Sequence, residues 1–171
     1  LDYTIFRPSL IFGEPKIEEQ IEFCTQLRDD MISLPIPAPL FHSGLLPFHA
    51  GQFKMSPIHV QNVAEFFTRS IDNTSTFGQC YHLGGPQDSS WKDLITIVAD
   101  ASGRKKWKIP APAIAIKTLA FLLDGFSWFP VTRDQLNMLL EGNTCDSEKA
   151  FQKFDIEPIP FTQRNLTYLK E

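Results

Sequence analysis

Tyr3-Thr-Ile-Phe-Arg-Pro-Ser-Leu-Ile-Phe-Gly13 is the stretch on which the fold turns. From Asp2 to Phe6 it is rich in β-formers, and it stops at Arg7-Pro8, where proline cannot extend a ladder. It reads as a short strand opening into a loop. A strand needs neighbours, yet the sequence predicts no other strong strand for about fifty residues, so its partners are expected in sequence preceding Leu1.

Working outward, Ile17, Ile21, Cys24, Leu27 and Met31 recur at helical spacing with polar residues between them and predict an amphipathic helix. The segment from Leu34 to Gly51 has no usable period and four prolines (Pro35, Pro37, Pro39, Pro47), so it is expected to be a long loop and a candidate lid. Gln52 to Pro57 reads as extended, and Val60, Val63, Ala64, Phe67 and Ile71 then form a second helical stripe. Gln79 to Leu83 is predicted as another short strand ending at Gly84-Gly85-Pro86, a turn by composition. Ser90 and Asp93 resemble a capping box, Leu94, Ile97, Val98 and Ala101 form its stripe, and Gly103 is placed to end that helix. Lys106 to Ile109 predicts a strand, Pro112 the first turn of a helix reaching about Phe126, and Thr132 the start of another; shorter pieces are expected at 147–154 and 162–169.

The chain has 171 residues, 43% apolar, 21% charged, with 15 Phe and a net charge of −4, the composition of a soluble globular domain. That mild acidity argues against a nucleic-acid binder. Cys24, Cys80 and Cys145 are odd in number and far apart, which excludes a disulfide framework or CxxC site and fits the cytoplasm or another reducing compartment. No targeting signal is read at Leu1.

The four histidines, His42, His49, His59 and His82, lack the spacing of a zinc site, and GxSxG, GxGxxG and GxxxxGK are absent. No autonomous catalytic motif or metal site is therefore expected. Arg104-Lys105-Lys106-Trp107-Lys108 reads as a solvated basic turn. The stretch from 109 to 131 is the most apolar, but Lys117, Asp124 and bounding prolines make it a poor membrane span. Ile116, Leu119, Ala120 and Leu123 would fill one helix face, leaving Phe121, Phe126, Trp128 and Phe129 in surplus for a neighbouring domain, a second copy or a membrane surface.

Together these segments resemble the C-terminal half of an extended or atypical short-chain dehydrogenase/reductase of the NAD-dependent epimerase/dehydratase family. Tyr3 to Gly13 is similar to that family's sixth strand and RPxxxFG loop, Pro57-Ile-His-Val-Gln-Asn-Val-Ala64 to its HVxDVA segment, and Gln79 to Gly85 to its seventh strand with the LGG end. Thr132-Arg-Asp-Gln-Leu136, with Leu139 and Asn143, resembles the branch containing the nucleotide-binding accessory subunit of complex I and its bacterial relatives. Asn62 stands where the family usually has Asp, which puts a charge or capping role there in question.

The resemblance implies an α/β fold: the C-terminal portion of a Rossmann-type NAD(P)-binding fold plus a mostly helical substrate-side domain. Residues 1–13 and 56–85 would belong to the nucleotide-binding domain and 14–55 and 86–171 to the substrate side, the N-terminal dinucleotide-binding half being absent. The family's glycine-rich loop and YxxxK pair precede the sixth strand, and Tyr3, Tyr81 and Tyr168 have no Lys four residues on. Catalytic residues are therefore not expected here. What carries over is the loop beside the nicotinamide, Pro8, Ser9, Leu10 and Ile11, with Phe12, His59 and the 34–51 loop on the substrate side. The resemblance further implies NAD or NADP in the full-length protein and weak or no binding by this chain. It implies a small-molecule substrate of unspecified identity, no nucleic acid, and a homodimer or a peripheral membrane or complex association through 111–131. The competing expectation is a non-catalytic, nucleotide-holding scaffold or assembly subunit of a respiratory or membrane complex.

Overall fold

The computed structural model describes residues 2–17, 22–42, 44, 46–114 and 141–170. The opening strand, β1 (Thr4–Pro8), runs parallel to the Gln79–Leu83 strand, with Thr4 opposite Gln79 and Pro8 opposite Leu83. Side chains alternate across this pair. Phe6 and Tyr81 stack at 5.7 Å on the inner face, against Phe66 and Phe154. Ile5, Arg7, Cys80 and His82 occupy the other face and are exposed. After β1 the chain makes β2 (Ile11–Phe12), parallel to β5 (Ile58–His59), and β5 leads directly into α2 (Val60–Ser70). The Gln79–Leu83 strand is β6.

Alpha-helix α1 is shorter than the sequence period suggests. It spans Phe23–Leu27, continues as a wider π-type turn over Arg28–Ile32, and is capped by Glu22, whose carboxylate accepts from the Thr25 N–H at 2.8 Å. Cys24, Leu27 and Ile32 face inward; Ile17 is exposed before the helix begins, and Ile21 lies outside the described residues. Helix α3 (Trp91–Ala101) follows its sequence signals closely. Ser90 Oγ accepts from Asp93 N, and Gly103 adopts φ +69° just past the end, where a side chain would be strained.

Two expectations need correction. The 34–51 segment is not all loop, because Ala38–His42 forms β3, parallel to β8 (Lys108–Pro112). Four of β3's five residues are buried, so no alternation betrays it, and Pro39 masks it further. The Ala38 N–H bonds the Trp107 carbonyl at 2.8 Å. By the alternation of a parallel ladder, the N–H groups of 38, 40, 109 and 111 then face the partner strand, and Pro39, Pro110 and Pro112 all fall at positions that face away. Pro112 thus ends a strand, and helical backbone follows it directly at Ala113 and Ile114. The second correction concerns α2. Its buried residues are Asn62, Val63 and Phe66, while Val60, Ala64, Phe67 and Ile71 of the expected stripe are exposed. The helix carries two apolar stripes, and the described residues cover only one.

A short antiparallel pair joins β4 (Lys54–Met55) to β7 (Ser89–Ser90), and α4 (Glu148–Phe154) and two kinked 3₁₀ turns over Gln163–Leu169 complete the chain. Burial forms two clusters. One gathers α1, β3 and α3 with Phe12, Phe161, Leu166 and Leu169; the other gathers Ile58, Val63, Phe66 and Leu83 with Phe151 and Phe154 of α4. The expected helices after Pro112 and the surplus aromatics Phe121, Phe126, Trp128 and Phe129 fall in 115–140, outside the described residues. Among the described residues no helix is long and apolar enough to cross a membrane.

Candidate functional site

The turn after β1 sits at a junction of four segments. Ser9 is buried; its N–H bonds the Leu83 carbonyl at 2.7 Å, and its hydroxyl donates to the Asn143 carbonyl at 2.8 Å. The Leu10 carbonyl accepts from the Ile58 N–H at 2.8 Å. Pro8 and Ile11 are exposed, Leu10 is half-buried, and Phe12 is fully enclosed. The four expected cofactor-edge residues are therefore contiguous on one rim, but the Ser9 N–H and the Leu10 carbonyl are already committed within the protein.

Glycines make this junction close enough to form. A Cβ on Gly85 would lie 1.9 Å from the Pro57 carbonyl oxygen, and one on Gly84 would lie 2.7 Å from both Cys145 Sγ and Ser56 Cβ. The sequence shows Gly84-Gly85-Pro86 as a turn; the structure shows close backbone approach as the reason for the glycines. Ser56 and Ser147 then satisfy the buried polar groups. Ser56 Oγ donates to Asp88 Oδ1 at 2.6 Å and accepts from Cys145 N at 3.1 Å. Ser147 Oγ accepts from Gly84 N at 2.6 Å and donates to the His82 carbonyl at 3.0 Å. Nothing in their local sequence singled out either serine, because Asp88, Cys145, Gly84 and His82, whose groups these bonds satisfy, lie far along the chain.

His59 caps α2. Its Nδ1 accepts from the Gln61 N–H at 3.1 Å, which assigns the proton of the neutral ring to Nε2. Burial lowers its pKa below the ordinary 6.5. Gly13, at φ +145°, passes close beneath: a Cβ there would lie 3.4 Å from His59 Nε2 and 2.5 Å from Val60 Cγ1. Phe12 packs edge-on between His59 at 5.0 Å and Phe161 at 4.9 Å, so its ring is a core element behind the histidine.

Asn62 does more than its position in the motif suggested. It is 1% exposed; Nδ2 donates to the Glu157 carbonyl at 2.9 Å, and Oδ1 accepts from the Ile159 N–H at 2.8 Å. One face of the amide thus clamps the 157–159 segment with a donor and an acceptor, which a carboxylate cannot supply. Arg69, two turns on, donates to the Phe154 and Asp155 carbonyls at 2.8 and 2.6 Å.

A cleft of about 1470 Å³ opens between α2, α4 and the 85–88 and 144–148 segments. Glu65, Asp88, Asp146 and Glu148 line it against Arg69, and neither the Pro8–Phe12 rim nor His59 does. Its negative character disfavours a pyrophosphate. Of the tyrosines, Tyr168 is enclosed with Cys24 and Glu22, and burial, reinforced by both neighbours, pushes its hydroxyl pKa up. That is the opposite of what an acid/base tyrosine needs. Burial raises the Cys24 and Cys145 thiols as well, so neither is an activated nucleophile. Lys153 donates to the Tyr81 hydroxyl at 2.6 Å, but this pair closes the Phe6–Phe154 aromatic cluster at the surface. Among the described residues no group of three or more His, Cys, Asp or Glu side chains could hold a metal ion.

No family model matches the chain. It is 22% identical over 169 residues to the mitochondrial NADH-ubiquinone oxidoreductase 40 kDa subunit of Neurospora crassa, covering 98% of this chain and 40% of that protein. Its fold matches the UDP-glucose 4-epimerase of Thermotoga maritima with UDP-glucose (TM-score 0.60, 14% identity, 98% of this chain and 44% of that one). It also matches the UDP-glucuronic acid 4-epimerase of Bacillus cereus in complex with UDP-glucuronic acid and NAD (TM-score 0.56, 14% identity, 95% and 42%). The chain therefore has a Rossmann-type epimerase/dehydratase fold and spans less than half the length of each of these proteins.

Proposed function

We propose that this chain is the C-terminal, substrate-side portion of an NAD(P)-dependent oxidoreductase or epimerase-like protein and is not catalytic by itself. The observation that carries the reading is the unfinished state of the β1–β6 layer. Parallel strands are normally covered on both faces and paired in larger sheets. Among the described residues β1 pairs with β6 alone, and Ile5 and Tyr3 are exposed. Beside them α2 presents the Val60, Ala64, Phe67 and Ile71 stripe, with Phe67 52% and Ile71 70% exposed. A further strand on β1, followed by its own helix against that stripe, would complete a doubly wound sheet.

In that arrangement residues 1–13 and 56–85 belong to the nucleotide-binding layer, α4 packs beneath it, and 14–55 with most of 86–171 form the substrate side. The rim fits one edge of a nicotinamide cofactor, whose chemistry when bound is hydride transfer. With the Ser9 N–H and the Leu10 carbonyl committed internally, the Pro8 carbonyl and Leu10 N–H are the backbone groups to meet its carboxamide. Ser9 fixes the turn and Ile11 supplies an apolar border. His59, backed by Phe12, offers Nε2–H toward the substrate side.

Calorimetric titration with NAD and NADP tests this. The chain alone is expected to bind weakly or not at all, and the longer protein to bind one of them. A low-micromolar dissociation constant for the chain alone, about 8 kcal/mol, would be too tight for two backbone bonds and would overturn the reading. The Neurospora relative favours a second reading, a nucleotide-holding subunit without turnover on a respiratory complex. Measurable turnover by the longer protein, dependent on a YxxxK pair, excludes it.

A further inference from the structure

We propose that the turn between α3 and β8 is a docking surface for an anionic lipid bilayer, formed by Lys105 and Trp107 with the exposed aliphatics Leu34, Ile36 and Ile109. This surface lies apart from the cofactor rim and does not depend on how that rim is read. Trp107 is 81% exposed, Ile36 59% and Ile109 49%, large apolar side chains at or beside the starts of the paired strands β3 and β8. Two contacts bring them together. The Ala38 N–H bonds the Trp107 carbonyl, and Lys106 Nζ donates to the Ile32 and Leu34 carbonyls at 3.3 and 2.5 Å. The 32–38 segment is thereby held along 106–108.

Charge selects the occupant. Four of the five residues from Arg104 to Lys108 are basic, Lys117 follows, and no Asp or Glu occurs from 104 to 123. Among the described residues Lys105, Lys106 and Lys108 make no ion pair with a carboxylate; Lys106 and Lys108 donate to neutral oxygens, and Lys105 is exposed. Arg104 acts electrostatically on Lys106 and, after burial, helps lower its pKa, as expected where positive charges accumulate. A second copy docking through the same face would set these charges against themselves. A single-stranded nucleic acid would use Trp107 and the cations but gain nothing from Leu34, Ile36 and Ile109. A bilayer uses all of them, with lysines at the headgroups, the indole at the interface and the aliphatics below it.

Co-sedimentation of the whole chain with vesicles of phosphatidylcholine and phosphatidylglycerol, in a ratio of about 7:3, tests the proposal. Binding is expected to these vesicles and not to pure phosphatidylcholine, and to weaken as salt is raised. Lys105→Gln should lower the partition coefficient about fivefold, the loss expected for one cation near an anionic surface, and Trp107→Ala should lower it severalfold. Both side chains are exposed, so circular dichroism should show the fold unchanged. No binding to the anionic vesicles, equal binding to neutral ones, or variants that bind like the parent would each overturn the proposal. So would an oligoribonucleotide binding through Lys105 and Trp107 while vesicles do not.

Discussion

Replacing Asn62 by Asp changes one atom, yet it should cost more than most surface truncations. In the parent, Nδ2 donates to the Glu157 carbonyl at 2.9 Å and Oδ1 accepts from Ile159 N at 2.8 Å, in a site 1% exposed. Aspartate keeps the second bond. At the first it sets one oxygen against another and leaves the Glu157 carbonyl without its donor in a half-buried contact, a loss of about 1–3 kcal/mol. For a chain of this size each kcal/mol shifts Tm by about 2–4 °C, so Asn62→Asp should melt roughly 2–12 °C below the parent near neutral pH. The pH dependence separates this account from generic damage. A protonated aspartate regains an O–H donor for Glu157, so the deficit should shrink on acidification, whereas Asn62→Ala, which loses both bonds, should show no such recovery. Thermal melts of parent and both variants between about pH 8 and 5 provide the measurement. An Asn62→Asp protein that melts with the parent at pH 8, or whose deficit grows toward pH 5, would refute the clamp.

His59 gives a second pH signature. Burial lowers its pKa from 6.5, and only the neutral ring can accept the Gln61 N–H, so its stabilisation is complete above that value and lost as pH falls through the lowered folded value. Melting curves of the parent and His59→Gln should converge on acidification below about pH 6.5; a constant gap would exclude the coupling. Gly85→Ala places a methyl 1.9 Å from the Pro57 oxygen, a contact only backbone movement can relieve. It should lower stability in urea by about 3 kcal/mol or more, while Gly78→Ala, with open space around it but φ +71°, should cost about 1–2 kcal/mol through strain alone.

What the sequence made legible was local. The Ser90–Asp93 cap, the Gly103 stop, and the β6 strand with its Leu83-Gly84-Gly85 end all announce themselves within a few residues, and each is found in place. What it concealed was decided by partners far along the chain. Periodicity finds an apolar stripe on α2 but not which of two stripes faces Phe151 and Phe154; the one containing Phe66 turns inward. Strand β3 is enclosed by α3 and its sheet partner, so alternation, the usual sign of a strand, is missing. Asn62 was visible as a departure from a motif, but its meaning depended on a carbonyl 95 residues away.

The prolines of the β3–β8 ribbon have one more effect. Pro39 on one outer edge, and Pro110 and Pro112 on the other, remove the donors with which a stray strand would register. That ribbon is thereby blunted against unwanted growth on both sides. Strand β1 has no such seal before Pro8, and among the described residues nothing pairs with its edge away from β6, where Tyr3 and Ile5 are exposed. Expressed alone at high concentration, the chain should therefore begin any self-association at β1. Charge introduced at Ile5 would be the first remedy for poor solubility, and the proline-rich ribbon could be left untouched.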